Sequence, residues 1–383
     1  MTPKGSLIMR KQMLIAVMLV IFVSMVACGR DDDSELRIAI VTNITGIDDM
    51  SFNQNNYEGI QAFIRANPDI SVSVTHVHEP SNAPGAAMQA VENVAGDFDV
   101  IVLPGFQFRN IGEIAVNNPE TYFLLIDVWP EEFQGRSEFP NVRALSFAEQ
   151  EAGFLAGVVA ALESETGRVA FIGGEAFPAV VNYQFGFESG LHYANAVFGT
   201  DVHVVELPHR AGTDVRGINI GGNYVGTFYN TNDGNTISNE LLSEGVDIIF
   251  VAAGGTGIEV HKAVRAYAGQ ARIIGVDTDQ FDGLLPPGEN VQITAVYKAM
   301  GLNVHRSLIT IADGSFEGGN HIMRTDTNSV GIVLTPGRHQ LPTETINRVN
   351  QLFALLRDGD IVPASNFNGY TPDNFPGMPG CCS

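Results

Sequence analysis

Cysteine and positive charge are both scarce in this chain. The three cysteines are Cys28 and the adjacent pair Cys381 and Cys382. Neighbours at the extreme end cannot staple a fold, so a disulfide framework is excluded, and no Cys-x-x-Cys pair exists for redox chemistry or zinc. Against 43 acidic residues stand only 21 lysines and arginines, a formal charge of −22. Nucleic-acid surfaces need clustered Lys and Arg, so no nucleic-acid partner is expected. Neither Gly-x-Ser-x-Gly nor His-Glu-x-x-His occurs, and no glycine run ends in the Lys-Ser/Thr of a P-loop. His76 and His78 share a face of one predicted strand but lack a third ligand nearby. No catalytic group, metal or cofactor is expected.

What is present begins with a secretion signal. Lys4, Arg10 and Lys11 precede an apolar core, Met13 to Val23, that is short for a membrane span. It ends at Met25-Val26-Ala27-Cys28, the small-residue-then-cysteine shape of a bacterial lipoprotein cleavage site. The alternative is an uncleaved anchor helix; both place the folded part outside the cytoplasm on a membrane surface. Residues 1–27 are read as signal peptide, Cys28 as the lipidated residue and 28–35 as a solvated tether. Removing three basic residues and no acidic one moves the charge from −22 to −25. About 355 residues remain, enough for two domains.

Apolar β-rich runs then alternate with helical patterns, which predicts parallel sheets with crossovers. The first series of strands is expected at 36–43, 71–77, 100–104, 122–127 and 142–147. The second is expected at 167–173, 202–207, 224–228, 246–252 and 272–277. Two series of five read as two doubly wound lobes. A further strand (292–297), helix (300–312), short strand (330–334) and helix (343–357) suggest a chain that crosses back to make a multi-stranded hinge. The expected division is 36–147 plus about 281–325 for lobe 1, and 148–280 plus about 326–362 for lobe 2. Residues 363–383, with four prolines, are expected to be an irregular tail.

In such sheets ligands bind beyond the carboxyl ends of strands. Directly after the first predicted strand stand Asp48, Asp49, Ser51, Phe52, Asn53 and Gln54. Phe52 would stack on a flat ring, while Asp49 and Asn53 would read its donors and acceptors. Asp and Ser are also ordinary helix caps, and both readings stay open. The turn Ala253-Gly254-Gly255-Thr256-Gly257 follows an apolar strand, and its N–H groups could hold a hydroxyl or simply make the turn. Asp277 and Lys298 close two other strands, as a carboxylate and an ammonium fit for vicinal hydroxyls or for a structural ion pair. Asp127 ends a strand with the same ambiguity.

These runs resemble the basic membrane lipoproteins of the Bmp/PnrA type, nucleoside-binding components of ABC importers. The similarity passes through Asp49–Gln54, Tyr57-Glu58-Gly59, Phe147–Gly157, Tyr224–Phe228, Ala253–Gly257, Gly275–Gln280, Lys298 and Val330–Leu334, in order, over roughly residues 36–362. It implies an α/β type I periplasmic-binding-protein fold, with two doubly wound parallel-sheet lobes closing on purine nucleosides. Phe52 matches an aromatic that stacks on the base, and Phe228 or Phe177 its counterpart from the other lobe. Asp49 and Asn53 match polar positions beside the base, with Asp127 near it. Asp277 and Lys298 match the ribose-binding pair, and Gly254 and Gly255 the ribose-side turn. Met50 stands where the family often has lysine. The implied partners are a nucleoside, an ABC permease with its ATPase, and the membrane through lipid on Cys28; the receptor is expected to be a monomer. A receptor for sugars or other small polar ligands, a nucleoside-processing enzyme and a ligand sensor are the competing readings.

Overall fold

Strand propensity and burial on both faces decide the architecture. In the computed structural model the runs β1 (Leu36–Thr42), β3 (Val100–Pro104), β4 (Tyr122–Ile126) and β10 (Ile248–Ala252) are almost wholly buried, as strands covered on two faces must be. The structure describes residues 35–380, apart from 44, 50, 80, 82, 84, 230–231, 268–269 and 282–289. The expected signal peptide, Cys28, nearly all of the tether, Met50, and Cys381 with Cys382 lie outside the described residues.

With β2 (Val72–His78), β5 (Val142–Phe147) and β13 (Gly319–Met323), the first sheet runs β13-β5-β4-β3-β1-β2, parallel throughout. The second uses β6 (Arg168–Gly173), β7 (His203–Val204), β11 (Arg272–Gly275), β12 (Gln292–Lys298) and β14 (Val330–Ile332). Its order is β14-β12-β11-β10-β6-β7, with only the β12–β14 pair antiparallel. The chain passes between sheets after β5, after β12 and again after β13, so three connections form the hinge. In each sheet the strand order reverses once, between β1 and β3 and between β6 and β10, opening a crevice at those strands' carboxyl ends.

The expected assignment of 281–325 to lobe 1 is corrected at β12. Its run Gln292–Lys298 pairs with β11 in the second sheet, and only the following helix, Met300–Ala312, and β13 return to the first. The strand expected at 224–228 is irregular apart from a single bridge, Tyr224 to Gly173, and a short hairpin of β8 (Gly212–Thr213) and β9 (Asn219–Gly221) precedes it.

Each lobe contains one closely packed helix pair. Helices α4 (Glu149–Glu163) and α5 (Pro178–Phe198) touch backbone to backbone. A Cβ on Gly157 would lie 2.0 Å from the Phe187 carbonyl oxygen, and one on Gly190 2.0 Å from that of Phe154. Helices α1 (Phe52–Ala66) and α8 (Met300–Ala312) meet through Gly59 and Gly301 in the same way. One apolar core runs continuously through both lobes, and two smaller cores fill the outer faces of the sheets. The tail beyond 363 has no helix or strand among its described residues, yet Phe375 is fully buried and Phe367 stacks on Trp129 of the first lobe at 6.2 Å.

Candidate functional site

Both lobes deliver a strand-end aspartate to one lysine. Asp127 follows β4 with φ +68°, and Asp277 follows β11 with φ +67°. A non-glycine residue adopts this left-handed geometry at a cost, and such strain gathers at functional sites. Lys298, the last residue of β12, is 2 % exposed; its Nζ donates to Asp127 Oδ2 and lies 3.5 Å from Glu149 Oε1 and 3.9 Å from Asp277 Oδ1. Burial works against the ammonium, but the surrounding carboxylates outweigh it and hold its pKa above the ordinary lysine value.

The same burial acts on the acids. It raises Asp127 against the pull of Lys298, and it lifts Glu149 to about 8, so Glu149 keeps its proton at neutral pH. Asn182 donates to Glu149 Oε2 at 3.1 Å and accepts the Asn366 N–H at 2.8 Å, which ties the tail to the site. Ser51 Oγ and the Tyr183 hydroxyl donate to the two oxygens of Asp277 at 3.2 and 3.4 Å. Asp127 Oδ1 is buried without a partner. Buried acceptors are nearly always bonded; the neighbouring Glu149 carboxyl, whose hydrogen bonding pulls Asp127 down, is one donor this oxygen can use, and a ligand hydroxyl is another.

Of these groups Asp127, Tyr183, Asp277 and Lys298 line a cavity of about 540 Å3 between the lobes. Small-ligand sites span roughly 300–1,000 Å3. Its walls are aromatic. Phe52 begins α1 with its ring 5.4 Å from Lys298 Nζ. Phe106 of the first lobe lies 4.9 Å from Phe177 of the second, which lies 5.8 Å from Phe228. Phe228 can seat there because Gly174 has no side chain; a Cβ would stand 2.4 Å from its ring. Gly254 and Gly255 also line the cavity, in the turn before helix α7 (Gly257–Ala266), and Gly254 adopts φ +54°. Flat apolar faces close over a floor of donors and acceptors.

Residues 37–212 and 216–352 match the family described as Bmp, ABC transporter substrate-binding protein PnrA-like. The chain belongs to the Bmp family. Among its relatives is the CD4+ T-cell-stimulating antigen of Listeria monocytogenes, 28 % identical over 88 % of this chain and 92 % of that one. The ABC transporter nucleoside-binding protein BmpA of Lactococcus lactis is 25 % identical over 75 % and 78 %. A solute-binding protein of an Aeropyrum pernix ABC transporter system shares the fold, with a TM-score of 0.71 at 21 % identity, covering 87 % of this chain and 94 % of the other. The Bmp chain is thus a two-lobed type I binding protein, the substrate-binding component of an ABC transporter. That role implies a small solute as ligand and a permease with its ATPase as partners.

Within this Bmp site the sequence-predicted residues divide. Phe52, Phe177, Phe228, Gly254, Gly255, Asp127, Asp277 and Lys298 all line the one cavity. Asp127, expected with the base contacts, is bonded to Lys298, which also lies 3.9 Å from Asp277. Asp49 edges the cavity, but its oxygens accept the N–H groups of Ser51, Asn53 and Gln54 at 3.0, 2.8 and 3.0 Å, so its carboxylate caps α1. Asn53 does not line the cavity: its amide donates to Asn43 Oδ1 and Thr45 Oγ1, which do. Sequence reasoning missed Asn43, Thr45, Phe106, Glu149 and Tyr183. Glu149 lies inside the Phe147–Gly157 run that carries the family resemblance, and Asn43 ends the first predicted strand; nothing in the sequence marks Phe106.

Proposed function

We propose that this Bmp-family protein captures a nucleoside, with purine nucleosides preferred, and delivers it to its permease while tethered by lipid on Cys28. The observation that carries the reading is the union, in one cavity, of an aromatic row with a buried Lys298–Asp127–Asp277 floor. Vicinal hydroxyls suit that floor, because a carboxylate accepts from them while the ammonium donates back. A flat base suits the rings, each base–aromatic stack contributing ~1–3 kcal/mol. The Lactococcus lactis relative, named a nucleoside-binding protein, agrees with this reading. Two aspartates beside one ammonium leave no net positive charge for a phosphate.

Calorimetry against nucleosides, their 5′-monophosphates and free pentoses and hexoses tests the reading. Nucleosides are expected to bind, and monophosphates and sugars far more weakly. Comparable affinities for nucleoside and monophosphate, or a sugar that binds best, would overturn it. Incubation with inosine is expected to release no free base. Changing Cys28→Ser is expected to move the protein from the membrane to the soluble fraction.

A further inference from the structure

The floor occupies only the hinge-side end of the cavity. Asp127 follows β4, and Asp277 and Lys298 end strands beside the hinge, whereas Glu79 follows β2, the outermost strand of its sheet. Three strand spacings separate β4 from β2, about 14 Å at ~4.8 Å each. In the other lobe Glu175 follows β6, two strands outward from β11. Both glutamates line the same cavity as Lys298. Topology therefore sets them, one from each lobe, at the end remote from the floor.

Glu79 is only 8 % exposed, and among the described residues its carboxylate has no hydrogen-bond or ion-pair partner. The Glu175 carboxylate also has none. Burial raises the pKa of each, and both are close enough to Tyr229, another lining residue, to push its phenol up further than burial alone. Apart from Lys298, the cation on the described lining is Arg109. Its Nε bonds Glu131 at 2.7 Å and its guanidinium lies 4.4 Å over the Phe106 ring, so it is already engaged. A partly desolvated carboxylate with no donor from the protein gains from a ligand that supplies one.

We propose that Glu79 and Glu175 form a second recognition point that accepts an amino group, or a cationic substituent, on the end of the ligand remote from Lys298. This deepens the nucleoside reading and rests on it: with the sugar hydroxyls on the floor and the base between the rings, the distal edge of the base faces the two glutamates. An exocyclic amine donates to them. A carbonyl oxygen in its place faces a carboxylate and is repelled. The site thereby discriminates adenosine from inosine, and cytidine from uridine.

Calorimetry with these two pairs on the wild type, Glu79→Gln, Glu175→Gln and the double variant tests this, with melting curves to verify that each variant is folded. The wild type is expected to prefer the amino member of each pair at least tenfold. The variants are expected to bring the ratio to within threefold, since a glutamine amide can donate to the carbonyl. Nucleoside binding without discrimination, or discrimination that survives in the double variant, overturns this inference alone. Failure of every nucleoside to bind the wild type overturns the functional reading and this inference with it.

Discussion

Replacing Lys298 by methionine tests the architecture of the floor independently of any ligand. The ammonium is 2 % exposed and stands among Asp127, Glu149 and Asp277. Methionine fills a similar volume but leaves the carboxylates uncompensated, and breaking a buried ion pair from one side costs ~3–5 kcal/mol. Protonation relieves part of that loss. Burial already raises Asp127 and Glu149, and without the ammonium's pull both rise further in the folded state. A folded-state pKa above the unfolded value means that stability is retained at low pH and lost as pH rises through it. The destabilisation by Lys298→Met is therefore expected to be largest at pH 8 and clearly smaller at pH 5. Urea unfolding of both proteins at the two pH values, with m-values compared, gives the answer. A loss below about 1 kcal/mol at pH 8, a value typical of exposed pairs, or a loss equal at both pH values, would refute the picture of a buried, over-acidic floor.

Three further outcomes follow from the geometry. Glu149, lifted to about 8 by burial, makes the folded state bind a proton that the unfolded state has released, so stability falls as pH rises from the ordinary glutamate range to about 8. In Glu149→Gln that contribution disappears; Glu188, lifted to about 7 by burial, slopes the same way in both proteins, so the difference between the two melting curves against pH is the readout. In Gly157→Ala the new methyl would stand 2.0 Å from the Phe187 carbonyl, forcing α4 and α5 apart; a loss of at least ~1–3 kcal/mol is expected in denaturant unfolding. In Gly174→Ala the methyl displaces the Phe228 ring from 2.4 Å, and nucleoside affinity is expected to fall about tenfold, the scale of one lost stacking contact, while the melting temperature changes little.

Much of the site was legible in the chain because strand ends are legible. Phe52, Asp127, Asp277, Lys298 and the Gly254–Gly255 turn each terminate or follow an apolar run, and in a parallel sheet that position alone points a residue towards the crevice. Tertiary contacts that a local pattern does not carry set the remaining residues. Asp49 and Asn53 have the chemistry of ligand contacts, but local groups engage the Asp49 carboxylate and the Asn53 amide N–H first. Glu149 sits in the first turn of a helix, where an acid looks like an ordinary dipole partner. Its contact with Lys298 spans 149 residues of sequence.

The sequence by itself determined the alternation of strands and helices, the two-lobed class and the strand-end aspartates, because hydrophobic period and strand termini are local properties. Only the tertiary structure decided that β12 joins the second sheet, that Asp127 and Asp277 share one lysine, and that Glu79 and Glu175 remain unpartnered at the far end of the cavity. Those facts depend on which strands become neighbours when the chain crosses the hinge three times, and pairing between distant strands is a sum over many weak contacts that no single segment carries.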